Sequence, residues 1–356
     1  MLILPLSTTL MHRILKSLLF LAPVLATAAP LPRFPSNAVW NQDISQAPLT
    51  TNSATMVSTL QGLGGWGNGN VMQIDFSMFV LHADAGAPTA GVVTGSDYYL
   101  PDCDQPSANY QFPIPSGGAI EGSAGYTCTV GDDCHLLVVQ GNTLYEAYQA
   151  NKVGNNIQAT CAVKWDLTKR YPSNGRGEQC TSVDAAGFPV APLLFNADEV
   201  KAAVSTNGDI GHAIRFVLPN AYIAAASYVH PASHGTKPPN GATGPATSVP
   251  YGARLRLRAN FDMSRYNAAA KVLLRTMQRY GIVLADAGNI ALTGEDDRFT
   301  TAKWADLDID SHVFMNGNPS PKVTDFEVIE AGPRHTVTYD CVRNPDDFLF
   351  TDGYDY

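Results

Sequence analysis

Along most of this chain the apolar positions recur every second residue in short bursts. In "VMQIDFSMFVL", Met72, Ile74, Phe76, Met78 and Val80 alternate with Gln73, Asp75 and Ser77, the pattern of a half-buried strand that turns Asp75 away from the core. "HLLVVQGNTLYEAYQA" carries two such runs around Gly141-Asn142, a hairpin signal because both residue types accept the backbone angles of a tight turn. Further strands are expected at "AVKWDL", "HAIRFVL", "AYIAAASYVH", "ARLRLRANF", "GIVLAD" and "VTDFEVI". Turn residues separate them at the spacing of a sandwich.

Helical periodicity is scarce. "SRYNAAAKVLLRTMQRYG" places Ala268, Val272, Leu273 and Met277 on one stripe and Lys271, Arg275, Gln278 and Arg279 on the other, with Ser264 as candidate N-cap and Gly281 as stop. Shorter helices are expected after Asn196 and over residues 55–60. Many strands with one good packing helix predict a mainly β fold, a β-sandwich/jelly-roll-like single domain with a few flanking helices. No repeat or linker divides the chain, so residues 29–340 read as one β-rich domain and 341–356 as an acidic C-terminal tail.

The first 28 residues change the setting. His12, Arg13 and Lys16 precede an apolar run over residues 18–25 and then Ala26-Thr27-Ala28, the pattern of a cleavable export signal, too short for a spanning helix. The remaining 328 residues carry 21 basic and 32 acidic side chains, a net charge of −11. Such a surface argues against nucleic acid and anionic membranes as partners. A secreted location makes the six cysteines, at 103, 128, 134, 161, 180 and 341, read as three disulfides. The most economical pairing is Cys128 with Cys134, Cys161 with Cys180 and Cys103 with Cys341.

Several residues are candidates for chemistry. Arg254, Arg256 and Arg258 share one strand face and need anions nearby, supplied either by a substrate carboxylate or sulfate or by the chain's own acids. Tyr222, Tyr228 and His230 share another face with small alanines, which reads either as an aromatic groove for sugar rings or as core packing. Ser182 and Asp184 lie in a Gly/Pro-rich run without the G-x-S-x-G of a nucleophile elbow. Asp286 ends a strand just before Ala287-Gly288, where carboxylates line sites but also make turns. Glu121, Glu146 and Asp75 complete the acids.

"YVHPASHG" sets His230 and His234 four residues apart. A helical H-E-x-x-H zinc motif is excluded, because Pro231 stands where the Glu belongs and biases His230 to an extended conformation. His82 and His135 are available as a third ligand, but no spacing selects them. Neither a metal nor another cofactor is therefore expected.

The segments "HLLVVQGNTLYEAYQA", "TSVDAAGFPVAPLLF", "YVHPASH", "YGARLRLRANFDMS" and "YGIVLADAG" together resemble a largely uncharacterised family of secreted β-rich proteins of soil bacteria and fungi. The similarity covers roughly residues 110 to 290 in one order. It implies a single domain and transfers no activity.

The expected function is that of a secreted glycoside hydrolase acting on a polysaccharide, with a carboxylate pair drawn from Glu121, Glu146, Asp184 and Asp286. His230 stands as a further catalytic candidate, and Tyr228, His234, Arg254 and Arg256 as substrate contacts. A polysaccharide lyase, with His230 or Tyr228 as base and Arg254 or Arg256 neutralising a uronate, is the alternative. A non-catalytic glycan-binding or cell-surface protein is the third, and the oligomeric state is not set by the sequence.

Overall fold

The computed structural model describes residues 30–131, 133–315 and 320–345; the expected export signal lies outside them. The architecture is mixed α/β, with five open sheets and three α-helices among the described residues. Strands outnumber helices as expected, but a sandwich or jelly roll is not the arrangement seen.

The largest sheet has six strands in the spatial order Ile74–Met78, Leu292–Glu295, Ile214–Leu218, Ile282–Ala287, Arg254–Leu257 and Phe326–Val328. Ile74–Met78 runs parallel to Leu292–Glu295, and Ile214–Leu218 parallel to Ile282–Ala287. Parallel neighbours require a crossover connection and are covered on both faces, so they read as unbroken apolar runs. "IRFVL" is buried at all five positions, and "IVLADA" at its first four.

Three helices flank this sheet: Ser53–Leu63 (α1), Ala197–Thr206 (α2) and Ala268–Arg279 (α3). Asn196 caps α2 by a capping box, its side chain accepting from the Glu199 amide at 3.0 Å while Glu199 accepts from the Asn196 amide. The cap of α3 is Asn267 and not Ser264. The Asn267 carboxamide accepts from the Ala270 amide at 2.7 Å, whereas the Ser264 amide is bound locally by Asp262.

A four-stranded sheet, Val80–His82, Leu136–Gln140, Thr143–Tyr148 and Cys161–Asp166, forms the wall between two cores. Its pleat sends Leu137, Val139, Leu144 and Val163 into the large core, and Leu136, Val138, Ala147 and Ala162 toward a smaller one. Phe112, Val92 and Ile157 of a second four-stranded sheet close that smaller core. The hairpin at Gly141-Asn142 forms as its turn chemistry predicts, with Gln140 opposite Thr143.

"AYIAAASYVH" does not form one strand. Residues Asn220–Tyr222 make a single 3-10 turn, Ala226 takes φ 55°, and only Ser227–Tyr228 is extended in a ladder. Tyr222 and Tyr228 therefore share no pleated face, and Tyr228 is fully buried.

The disulfides join Cys103 to Cys161, Cys128 to Cys134 and Cys180 to Cys341, correcting two of the three expected pairs. Backbone bonds from Tyr99 to Thr160 and from Asp104 to Ala162 lay the 99–104 segment along the strand that Cys161 begins. Likewise Gly177–Glu178 pairs antiparallel with Val342–Arg343, which brings Cys180 to Cys341. The stretch assigned to a tail thus starts inside the fold. Three disulfides fit an oxidising, extracellular compartment, and no described helix is long and apolar enough to cross a membrane.

Cys180 and Cys341 lie 161 residues apart, so their bond removes much of the unfolded chain's freedom. Replacing both by serine is expected to lower the unfolding free energy by about 2–5 kcal/mol, read by chemical denaturation without reductant. A loss under about 1 kcal/mol would show that this closure contributes little.

Candidate active site

The site is assembled by backbone stitching at the C-terminal end of the strand Ile282–Ala287. The Ala186 amide donates to the carbonyl of Ala285 at 2.9 Å, which lays the turn carrying Asp184 across the strand end. The amides of Ser233 and His234 then donate to the Ala186 carbonyl, at 3.0 and 3.3 Å. Gly187 permits this layering: it has φ 80°, and a Cβ there would fall 2.7 Å from the Cys180 carbonyl oxygen. Asp184, His234 and Asp286 are thereby gathered from three distant segments.

Asp286 is the accessible acid of the group. Its side chain keeps 30 % of its surface exposed, while that of Asp184 has none. Oδ1 accepts from the Ala287 amide at 2.7 Å and Oδ2 from the Ala185 amide at 3.3 Å. Burial pushes its pKa up, against the pull of Arg215.

Arg215 lies behind it, within the strand Ile214–Leu218. Its guanidinium donates to Asp184 Oδ2 from Nη2 at 2.9 Å and from Nε at 3.3 Å, and to Thr293 Oγ1 at 2.9 Å. Asp286 Oδ2 lies 4.0 Å from the same Nη2. The two aspartates therefore share one cation, and their Oδ2 atoms are no farther apart than those two distances laid end to end. Burial raises Asp184 to about 7; Arg215 opposes the shift and Asp286 adds to it.

His234 supplies a base. Its Nδ1 lies 2.7 Å from the Ala185 carbonyl oxygen, which only accepts, so Nδ1 carries the proton and Nε2 is left with a lone pair. Among the described residues nothing hydrogen-bonds Nε2. Burial lowers the His234 pKa, and Asp286 is among the charges acting on it. Tyr339 stacks on its ring at 5.4 Å and is 46 % exposed.

A second polar chain abuts the first. The Glu121 amide donates to the His135 carbonyl and the Gly122 amide to that of Ser77, which fixes Glu121 between the two. Glu121 Oε2 lies 2.7 Å from His135 Nδ1, while His135 Nε2 lies 2.9 Å from the Val183 carbonyl oxygen. Both ring nitrogens face acceptors, so the imidazole is held as a cation. Ser77 Oγ bridges Glu121 at 2.9 Å and Asp75 at 3.0 Å with a single proton. Burial and then the charge of Glu121 raise Asp75, although the Ser77 hydroxyl pulls the other way.

Burial lowers His135, but the Glu121 carboxylate outweighs it and the pKa rises from 6.5 to about 9. A histidine raised on folding stabilises fully below its unfolded value and loses that contribution as pH rises through the folded one. Stability is thus expected to fall between about pH 6.5 and 9, and thermal melts should show a shallower fall for His135→Gln. Equal slopes in the two proteins would remove the ion pair from the account.

The remaining expected site residues stand elsewhere. Glu146 is fully buried and accepts from Trp165 Nε1 and from the amides of Val190 and Ala191, each at 2.9 Å. It is a structural acceptor, closed to substrate. Arg254 donates to the carbonyls of Tyr280, Val39 and Gln42, and Arg256 to Glu327, Ile44 and Ala47. Both tie the N-terminal segment to the sheet; backbone carbonyls satisfy Arg254, and Glu327 pairs with both Arg256 and Arg258. Tyr228 and His230 gather at Glu178, and among the described residues neither hydrogen-bonds to Asp286, Asp184 or His234.

Arg215, absent from the sequence candidates, had one signal: a lone arginine inside an apolar strand must find a buried partner. Neither protein-family models nor curated proteins nor solved structures match this chain. The chemistry of the site is therefore argued from its own geometry.

Proposed function

We propose that the protein is a secreted carbohydrate-active enzyme, a glycoside hydrolase acting on a polysaccharide, with Asp286 as its acid. The observation that carries this reading is the setting of Asp286: a partly exposed carboxyl at a strand end whose pKa burial raises, gathered with an imidazole whose Nε2 is unengaged among the described residues. A protonated Asp286 gives its proton to the glycosidic oxygen as the sugar C1–O bond breaks and its electron pair passes to that oxygen. Water adds to C1, and His234 Nε2 takes the proton that water releases. His234 fills the role that a second carboxylate has in most glycosidases, because Asp184 is held behind Arg215.

The surroundings suit a sugar. Tyr339 covers His234 with an exposed ring, and Tyr148 lies within electrostatic range of both Asp286 and Tyr99, which is 42 % exposed. Such amphipathic rings stack on sugar faces. A polysaccharide lyase is the second reading, favoured by the free Nε2 of His234 as a base for a uronate C5 proton. The arginines expected to neutralise the uronate, Arg254 and Arg256, are committed elsewhere, which ranks it second.

Incubation with neutral and uronic polysaccharides separates the readings. New reducing ends without absorbance from unsaturated uronates are expected. Both signals together would replace hydrolysis by elimination; neither, with retention on a glycan column, would leave binding alone.

A further inference from the structure

Glu178, His230 and His335 come from three segments and converge. Glu178 lies in Gly177–Glu178, His230 follows Ser227–Tyr228, and His335 lies in His335–Thr336, paired directly opposite Tyr228. One ligand atom from each lies within 4.8 Å of the other two. We infer that these three residues form a binding site for a divalent cation of the zinc class.

The hydrogen bonds of the cluster leave something unsatisfied. His230 Nε2 lies 3.1 Å from Glu178 Oε2, and the Tyr228 hydroxyl donates to Glu178 Oε1. His335 Nδ1 stands 3.6 Å from Glu178 Oε1, beyond hydrogen-bond length, and its Nε2 is buried without a partner. The ring is held by stacking, on His230 at 4.3 Å and on Tyr228 at 5.1 Å. With neither ring nitrogen of His335 in a hydrogen bond, one of them keeps a lone pair that a metal ion can take.

The donor set selects the ion. Two imidazoles and one carboxylate suit Zn²⁺, whereas Ca²⁺ and Mg²⁺ demand a shell of oxygens. Ligand atoms around a tetrahedral zinc, with bonds of about 2.0–2.2 Å, stand roughly 3.5 Å apart, so closure from 4.8 Å takes only small side-chain rotations. Part of each side chain is exposed, 33 % for Glu178, 25 % for His230 and 29 % for His335. The fourth position therefore opens to water.

The scaffold is fixed before any ion arrives. Gln179 donates to the Tyr228 hydroxyl at 2.9 Å and to the Thr336 carbonyl at 3.0 Å, and accepts from the Thr338 amide at 2.9 Å. The Cys180–Cys341 disulfide anchors the strand that carries Glu178. Orienting contacts of this kind raise metal affinity, typically by 10–100-fold each.

The test is calorimetric titration of the mature, oxidised, untagged protein with ZnCl₂ after treatment with chelator. One Zn²⁺ per chain is expected, and Co²⁺ in its place should give the visible d–d bands of a four-coordinate site. His335→Ala should weaken binding by more than about 100-fold and Tyr228→Phe by about 10-fold. Because His335→Ala removes a stacked ring, His230→Gln serves as an independent second variant, with circular dichroism to confirm folding. Asp286→Asn should bind Zn²⁺ as the wild type does. Absence of binding, affinities unchanged in folded His335→Ala and His230→Gln, or loss of binding in Asp286→Asn would each overturn the assignment.

Discussion

Asp286→Asn is expected to lower the rate of glycan cleavage by about 10²–10⁴-fold, the usual worth of a positioned general acid, with the fold intact. The amide keeps the shape of the side chain and its acceptor oxygen, and it removes a charge that competes with Asp184 for Arg215. In the wild type, the rate should fall at low pH as His234 becomes protonated, and at high pH as Asp286 loses its proton. Burial lowers the first group from 6.5 and raises the second from 3.8, so the two limbs move toward each other relative to the free groups. His234→Asn should abolish the dependence on the imidazole. A rate within tenfold of wild type for Asp286→Asn would remove this residue from the chemistry.

Arg215→Met should have the largest effect on stability. Asp184 has no exposed side-chain surface and faces only donors, two of its contacts being guanidinium nitrogens. Removing the cation leaves a buried carboxyl without its partner, a loss of about 3–5 kcal/mol. Changing Asp184→Asn in the same protein should recover much of that loss, since replacing both partners by neutral groups leaves no charge stranded. Chemical denaturation of the two single variants and the double variant measures the coupling. Additive losses would show that the pair does not act as a unit.

What was legible from sequence follows the range of the signal. Short-range chemistry read correctly: the hairpin at Gly141-Asn142, the helix after Asn196 and the stripe of Ala268–Arg279 each depend on residues within a few positions. The parallel pairing is not legible in the sequence, because "GIVLAD" and "HAIRFVL" look the same in a sandwich core and in a covered parallel sheet. Asp286 and His234 were among the candidates because a carboxylate at a strand end and a histidine in a Pro/Gly loop are recognisable locally. Their convergence depends on the Ala186 to Ala285 bond, which no spacing encodes. For the same reason the sequence pairs His230 only with its neighbour His234. Its partners in the fold, Glu178 and His335, come from distant segments.

The partners of the other candidate acids explain why Asp286 stands apart from them. Glu121 is held by His135, Asp184 by Arg215 and Glu146 by three N–H donors. Each is satisfied inside the protein, as buried charges and polar groups must be. Asp286 differs by combining backbone support with exposure, which is what a proton donor to an external substrate requires.

The most direct measurement of this central claim is the titration of the Asp286 carboxyl carbon by ¹³C NMR, assigned by its loss in Asp286→Asn. The account predicts a pKa above the ordinary 3.8, and a further change when Asp184→Asn removes the competing charge. A value at or below 3.8 would contradict it, since Asp286 would then be a plain carboxylate at the pH where a glycosidic oxygen needs a proton.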